Sequence, residues 1–177
     1  MKIFKSILIL IIICMSVTGC KSKTVEEEFY KSHKKSREIV YQGTVLERPF
    51  ILYKAPFDNG NVGIGAAVFD GSDRKGWSLS SSNSLYDGNK FLVDTTGINF
   101  KDNVRRHLIF GYIDDPDIIR VEMIDKYNQV IDATIIQTNW KRVFYGLVEI
   151  HELKVIAYDK NNRIVTEIPD RITSIES

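Results

Sequence analysis

Hydrophobic and polar positions divide this chain into three stretches of different period. The first is an unbroken apolar run, Ile7 to Met15, preceded by Lys2 and Lys5 and followed by Val17-Thr18-Gly19-Cys20. The second, Thr24 to Arg37, puts Val25 and Phe29 on one helical face and charge over most of the rest, so it predicts a helix with a thin apolar stripe. Thr24 with Glu27 three residues later forms a capping box, and Glu26, Glu27 and Glu28 sit at the positive end of the helix dipole. Lys31, Lys34, Lys35 and Arg37 lie toward the other end, with Glu27 and Lys31 as an i,i+4 pair. Such dipole-matched charges predict a solvated helix rather than a basic surface aimed at lipid.

From Ile39 the period changes to that of β-structure. Short runs rich in valine, isoleucine and aromatics alternate with Gly, Asn and Asp punctuation. The runs Ile39–Leu46 and Phe50–Ala55 predict an antiparallel pair joined around Glu47-Arg48-Pro49. Gly63–Phe69 follows the turn signal Asp58-Asn59-Gly60, then Trp77–Ser82 and, after Asp87-Gly88, Lys90–Val93. Asp94–Asn103 reads as a polar connection. Five strands come next, at His107–Ile113, Ile118–Ile124, Val130–Thr138, Val143–Ile150 and Leu153–Tyr158, and Arg163–Glu167 closes the series. An echo links Ile124-Asp125-Lys126-Tyr127-Asn128-Gln129 with Tyr158-Asp159-Lys160-Asn161-Asn162-Arg163, which predicts two hairpins with the same turn chemistry. About ten short strands at this spacing, with no strand–helix alternation, predict a mainly β fold. The expected architecture is a two-sheet antiparallel β-sandwich preceded by one N-terminal helix, with an immunoglobulin-like arrangement open to the last five strands.

The N-terminal stretch changes the picture of where the chain resides. A positive start, a short apolar run and small residues before a cut site make a secretory signal; a spanning helix needs about 20 apolar residues. Val17-Thr18-Gly19-Cys20 resembles the lipobox of bacterial lipoproteins. That resemblance implies cleavage between Gly19 and Cys20 and a diacylglycerol thioether on Cys20, which would hold the chain on the extracytoplasmic face of a cell membrane. Residues 1–19 are then a removed leader, 20–38 a lipidated tether with the helix, and 39–177 a single β domain. Of 177 residues, 158 remain, and losing Lys2 and Lys5 takes the formal charge from +1 to −1. Cys14 leaves with the leader, so Cys20 is the sole remaining cysteine; cysteine-based zinc sites, iron–sulfur clusters, disulfides and thiol nucleophiles are excluded.

A near-neutral balance of 24 basic and 23 acidic residues excludes a bulk electrostatic nucleic-acid binder. Catalytic constellations are missing as well. Gly76-Trp77-Ser78-Leu79-Ser80 lacks the second glycine of a nucleophile elbow and the helix that should follow. His33, His107 and His151 have no metal-ligand spacing and read as surface residues. Asp114-Asp115-Pro116-Asp117 has the composition of a turn and lacks a calcium-loop framework, and Gly60–Gly65 reads as a turn and a close strand approach. No residue pattern calls for a cofactor or metal.

The aromatics are the remaining candidates. Trp77, Tyr86 and Phe91 bracket a serine-rich stretch, while Trp140, Phe144 and Tyr145 surround Lys141 and Arg142. Trp140, Arg142 and Tyr145 form the candidate binding surface, with Trp140 expected half-buried at a sheet rim and Arg142 on its face of the strand. The lipobox, short polar tether, helix and β-rich remainder resemble small Gram-positive lipoproteins of uncharacterised role. Phe110-Gly111-Tyr112-Ile113-Asp114-Asp115-Pro116-Asp117-Ile118, Arg142-Val143-Phe144-Tyr145 and Ala157-Tyr158-Asp159 resemble an arrangement that recurs among them. That resemblance brings no catalytic residues with it, and the leading expectation is a non-enzymatic, lipid-anchored envelope protein that binds a protein or glycan of the envelope. A hydrolase of cell-wall or other extracellular glycan and a small-ligand sensor are the competing classes. A convergent acid pair or Ser/His pair in a cleft would favour the hydrolase.

Overall fold

The computed structural model describes residues 22–33, 35–100, 104–125, 127–149 and 153–169. Gly19, Cys20 and the leader before them lie outside the described residues, as do His151 and Lys34. One short helix, α1 (Val25–Ser32), precedes twelve strands. They are β1 (Glu38–Val45), β2 (Arg48–Pro56), β3 (Val62–Ser72), β4 (Gly76–Leu85), β5 (Phe91–Asn99), β6 (Arg105–Ile113), β7 (Arg120–Asp125), β8 (Val130–Asp132), β9 (Thr134–Gln137), β10 (Arg142–Val148), β11 (Leu153–Tyr158) and β12 (Ile164–Ile168). All pairing is antiparallel, in three four-stranded sheets of order β1-β2-β3-β4, β5-β6-β10-β9 and β12-β11-β7-β8.

The sheets number three, where the sequence predicts two, and alternation along the middle one explains why. Leu108, Phe110 and Tyr112 of β6 pack with Phe50, Leu52, Ile64, Ala66 and Val68 of the first sheet. Their neighbours Ile109 and Ile113 face the opposite way, onto Val121, Met123, Val155 and Ala157 of the third. A strand with both faces covered reads as a nearly continuous apolar run, and period-two counting cannot assign it to one interface. The first sheet is covered on its other face too, where Val25 and Phe29 of α1 pack on Ile51, Tyr53, Ala67 and Phe69. Gly65 lies beneath the Tyr53 ring, where a Cβ would collide with it, so the close approach expected of the Gly60–Gly65 segment occurs there.

Local chemistry accounts for most element boundaries. Thr24 accepts from Glu27 N and the Glu27 carboxylate accepts from Thr24 N, giving the predicted capping box. The helix stops at Ser32 rather than Arg37, because His33 turns extended and its ring is held over Phe29 and against β4. Glu27 is committed to the cap, so Lys31 pairs with Glu28 at 3.6 Å instead. The β1–β2 turn is a two-residue loop with Leu46 and Glu47 both at positive φ (45° and 64°), which suits the strand twist but is unusual without glycine or asparagine. Asp125 and Asp159 end their strands identically. Each carboxylate accepts backbone N–H groups two and four residues on, and Asn128 and Asn162 follow at φ 59° and 58°. The echo in the sequence is therefore turn chemistry.

Several predicted strand boundaries also shift, and the expected Glu47-Arg48-Pro49 connection is one of them, since Arg48 and Pro49 belong to β2. Asp94–Asn99 continues β5 instead of forming a connection, and Val130–Thr138 is two strands parted at Ala133, one in each of two sheets.

Candidate functional site

The strand register gives the molecule two distinct ends. Arg48, at the start of β2, donates to the Asn99 carbonyl at 3.0 Å and stacks over Phe100, so the β1–β2 and β3–β4 turns lie at the same end as the close of β5. Lys54, late in β2, reaches the Trp140 ring (5.9 Å), which places the start of β10 and the end of β6 at the opposite end. Between them runs the length of β2, about 20–30 Å at 3.3 Å per residue.

At the first end the chain enters the structure. Ser22 is buried; its carbonyl accepts from Trp77 N at 2.9 Å and its hydroxyl donates to Glu28 at 2.8 Å. Burial pushes the Glu28 carboxyl up, but hydrogen bonds from Ser22, Ser32 and Leu79 N, with the Lys31 charge, bring it net below the usual range. Glu28 thus remains an anion that ties the chain entry and α1 to β4. Beside it opens a cleft of about 740 Å³ between the two hairpin turns, bounded by Leu46, Arg48, Asp70, Lys75, Trp77 and Phe100. Arg48 and Asp70 are an ion pair across it, and Trp77 donates its indole N–H to Asp73. Leu46, at the turn tip, is 58% exposed. Trp77 belongs to the aromatics singled out from the sequence; the others reach this cleft through register alone, and no sequence signal marks them.

The opposite end carries Trp140. It lies half-buried in the turn before β10, edge-on to Tyr112, with ring centroids 5.7 Å apart. The ammonium groups of Lys141 and Lys54 lie 5.5 and 5.9 Å from its centroid. They are also paired, Lys141 with Asp114 and Lys54 with Glu38, each at 2.8 Å. Tyr145 sits further along β10, stacked on Tyr41 (5.7 Å) and tilted against Phe50 (4.8 Å). Arg142 points elsewhere: its guanidinium donates to the carbonyls of Asp115 and Ile118 and secures the acidic turn. The strand begins at Arg142, so alternation does not extend back to Trp140 and the expected common face is absent. Of the three predicted residues, Trp140 and Tyr145 face the first sheet and Arg142 braces a loop. Asp115 spends its carboxylate on the backbone of Asp117, as a turn residue does.

One polar chain lies between α1 and the first sheet. His33, expected at the surface, is buried; its Nδ1 donates to the Phe29 carbonyl (3.1 Å) and its Nε2 accepts from Ser82 Oγ (2.9 Å). Tyr53 OH lies 3.0 Å from the same hydroxyl and accepts from Arg37 at 3.1 Å. Burial, with the nearby Arg37 charge, lowers the His33 pKa and keeps the ring neutral. The cleft lining does not include these residues. A second buried polar point is Asp94, which accepts from Asn83 (3.0 Å) and its neighbour's N–H (2.8 Å) while its Oδ2 is buried without a hydrogen bond. Burial pushes its pKa up to about 6.

Among the described residues no helix is long and apolar enough to cross a membrane, and no three His, Cys, Asp or Glu side chains gather as metal ligands. Comparison with protein-family models, curated proteins and solved structures finds no match to this chain.

Proposed function

We propose that this chain is a lipid-anchored protein of the cell envelope whose β domain, residues 39–177, presents a non-enzymatic binding surface at the end far from its anchor. The observation that carries the reading is the position of Trp140: on a turn, half-buried, flanked by Tyr112 and two lysines, and a strand length away from Ser22. Aromatic groups with a charged rim are the usual anchors of protein interfaces, so an envelope protein is the partner class favoured. The reading takes the two facing sheets β1–β4 and β5-β6-β10-β9 as a sandwich, supported by their shared apolar interior, with the third sheet packed behind. A photo-crosslinking residue at the exposed Asn139 of the anchored full chain tests it in cells. A discrete crosslinked product that Trp140→Ala abolishes is expected; no product, or one indifferent to Trp140, removes the reading.

A hydrolase has one observation in its favour, the 2.9 Å contact between Ser82 Oγ and His33 Nε2. Against it, the histidine is oriented by a backbone carbonyl rather than a carboxylate. A fluorophosphonate probe that labels the wild type and not Ser82→Ala would replace the binding reading with this one.

A further inference from the structure

We propose that the cleft end of the molecule is a membrane-docking face, with the phospholipid headgroup layer as its occupant and Leu46 and Trp77 as the groups that enter it. The inference rests on the anchoring reading and adds an orientation to it. Ser22 is fixed to the wall of the cleft by its carbonyl bond to Trp77 and its hydroxyl bond to Glu28. Only Lys21 separates it from Cys20. Two residues span at most about 7 Å, comparable with the headgroup layer of roughly 5–8 Å on each side of the hydrocarbon. A diacylglycerol on Cys20 therefore cannot hold the domain off the surface; this end must lie on it.

The groups placed there suit that position. Leu46 projects from the tip of the β1–β2 turn, 58% exposed, on a positive-φ backbone that leucine rarely adopts. Trp77 is an amphipathic ring of the kind that settles at headgroup level. Lys23, Arg74 and Lys75 are exposed on the same end and can meet lipid phosphates. The two tryptophans are at opposite ends, so the protein carries its own control.

The test uses the full lipidated chain in phosphatidylglycerol/phosphatidylcholine vesicles that contain a spin-labelled phospholipid quencher. Trp140→Phe leaves Trp77 as reporter and Trp77→Phe leaves Trp140. Quenching of Trp77 at least about threefold stronger than that of Trp140 is expected, as for an interfacial indole against one in water. Equal quenching, or stronger quenching of Trp140, overturns the proposal. Should either tryptophan variant fail to fold, a solvatochromic dye on Leu46→Cys reads the same face; a dye unshifted on vesicle binding also overturns it. Mass analysis of the N-terminal peptide separates the two levels: lipid present without Trp77 quenching defeats the orientation alone, and lipid absent defeats the anchoring reading along with it.

Discussion

At the scale of single residues, the clearest tension is at Asp94. Its folded pKa of about 6 lies above the value of roughly 3.9 it has in an unfolded chain. Between those values the folded state holds the proton more tightly, so this group's contribution is fully favourable below about pH 4 and is lost as pH rises through 6. Asp94→Asn keeps the acceptor used by Asn83 and Thr95 N and removes the charge. Chemical denaturation is expected to show the variant more stable at pH 7 by about 1–2 kcal/mol, allowing for partial solvent access, with the advantage vanishing at pH 4. His33 acts in the opposite sense: its lowered pKa costs stability as pH falls through the unfolded value near 6.5. The comparison must therefore be variant against wild type at each pH. Trp140 gives a second residue-scale prediction. Its half-buried ring, supported by Tyr112, should cost roughly 1–3 kcal/mol on truncation to alanine. A loss above about 3 kcal/mol would make it an ordinary core residue, and the binding surface would lose its centre.

At the scale of elements, α1 is held by chemistry out of proportion to its eight residues. Glu28 accepts from Ser22, Ser32 and Leu79 N, so Glu28→Ala removes the acceptor of three donors, of which Leu79 N and the buried Ser22 hydroxyl have least access to water. A loss of about 2–3 kcal/mol is expected; Glu28→Gln, which retains the acceptor oxygen, should recover part of it in the same melts. This element also shows what could be read beforehand. Its start was legible because a capping box is local, whereas its end was not, because the contact that holds His33 out of the helix and against the sheet comes from Ser82, 49 residues on. Strands β1 to β4 were legible as apolar runs, but their ends were not all so: the β1–β2 turn falls on Leu46-Glu47, which carries no glycine or asparagine signal, and β4 runs on to Leu85 through serines and an asparagine. β5 was cut short because Asp94, Thr95, Thr96 and Gly97 look polar; tertiary partners, Asn83 for one, absorb them. The break at Ala133 is set by two sheets competing for one run. The cleft was invisible in advance because its walls come from separate turns whose meeting depends on register.

At the scale of the whole molecule, the middle sheet is shared by two apolar interfaces, and the Val130–Gln137 run passes from the third sheet into it. The two interfaces are therefore joined both through β6 and β10 and along the chain. The way the chain enters at Ser22 has a mechanical consequence. A load applied through the N-terminus falls first on the bond between Ser22 and Trp77, then on Glu28, and only afterwards on β1, which lies at the far edge of the first sheet from β4. Those attachments are expected to fail one after another, as in peeling, before the inner strands yield. Optical-trap extension from residue 22 is expected to show α1 released in a separate, low-force step before the sheets yield; a single rupture would mean that helix and sheets share the load. For a domain tethered by one end, α1 would serve as a fuse that takes up extension while the far surface keeps its shape.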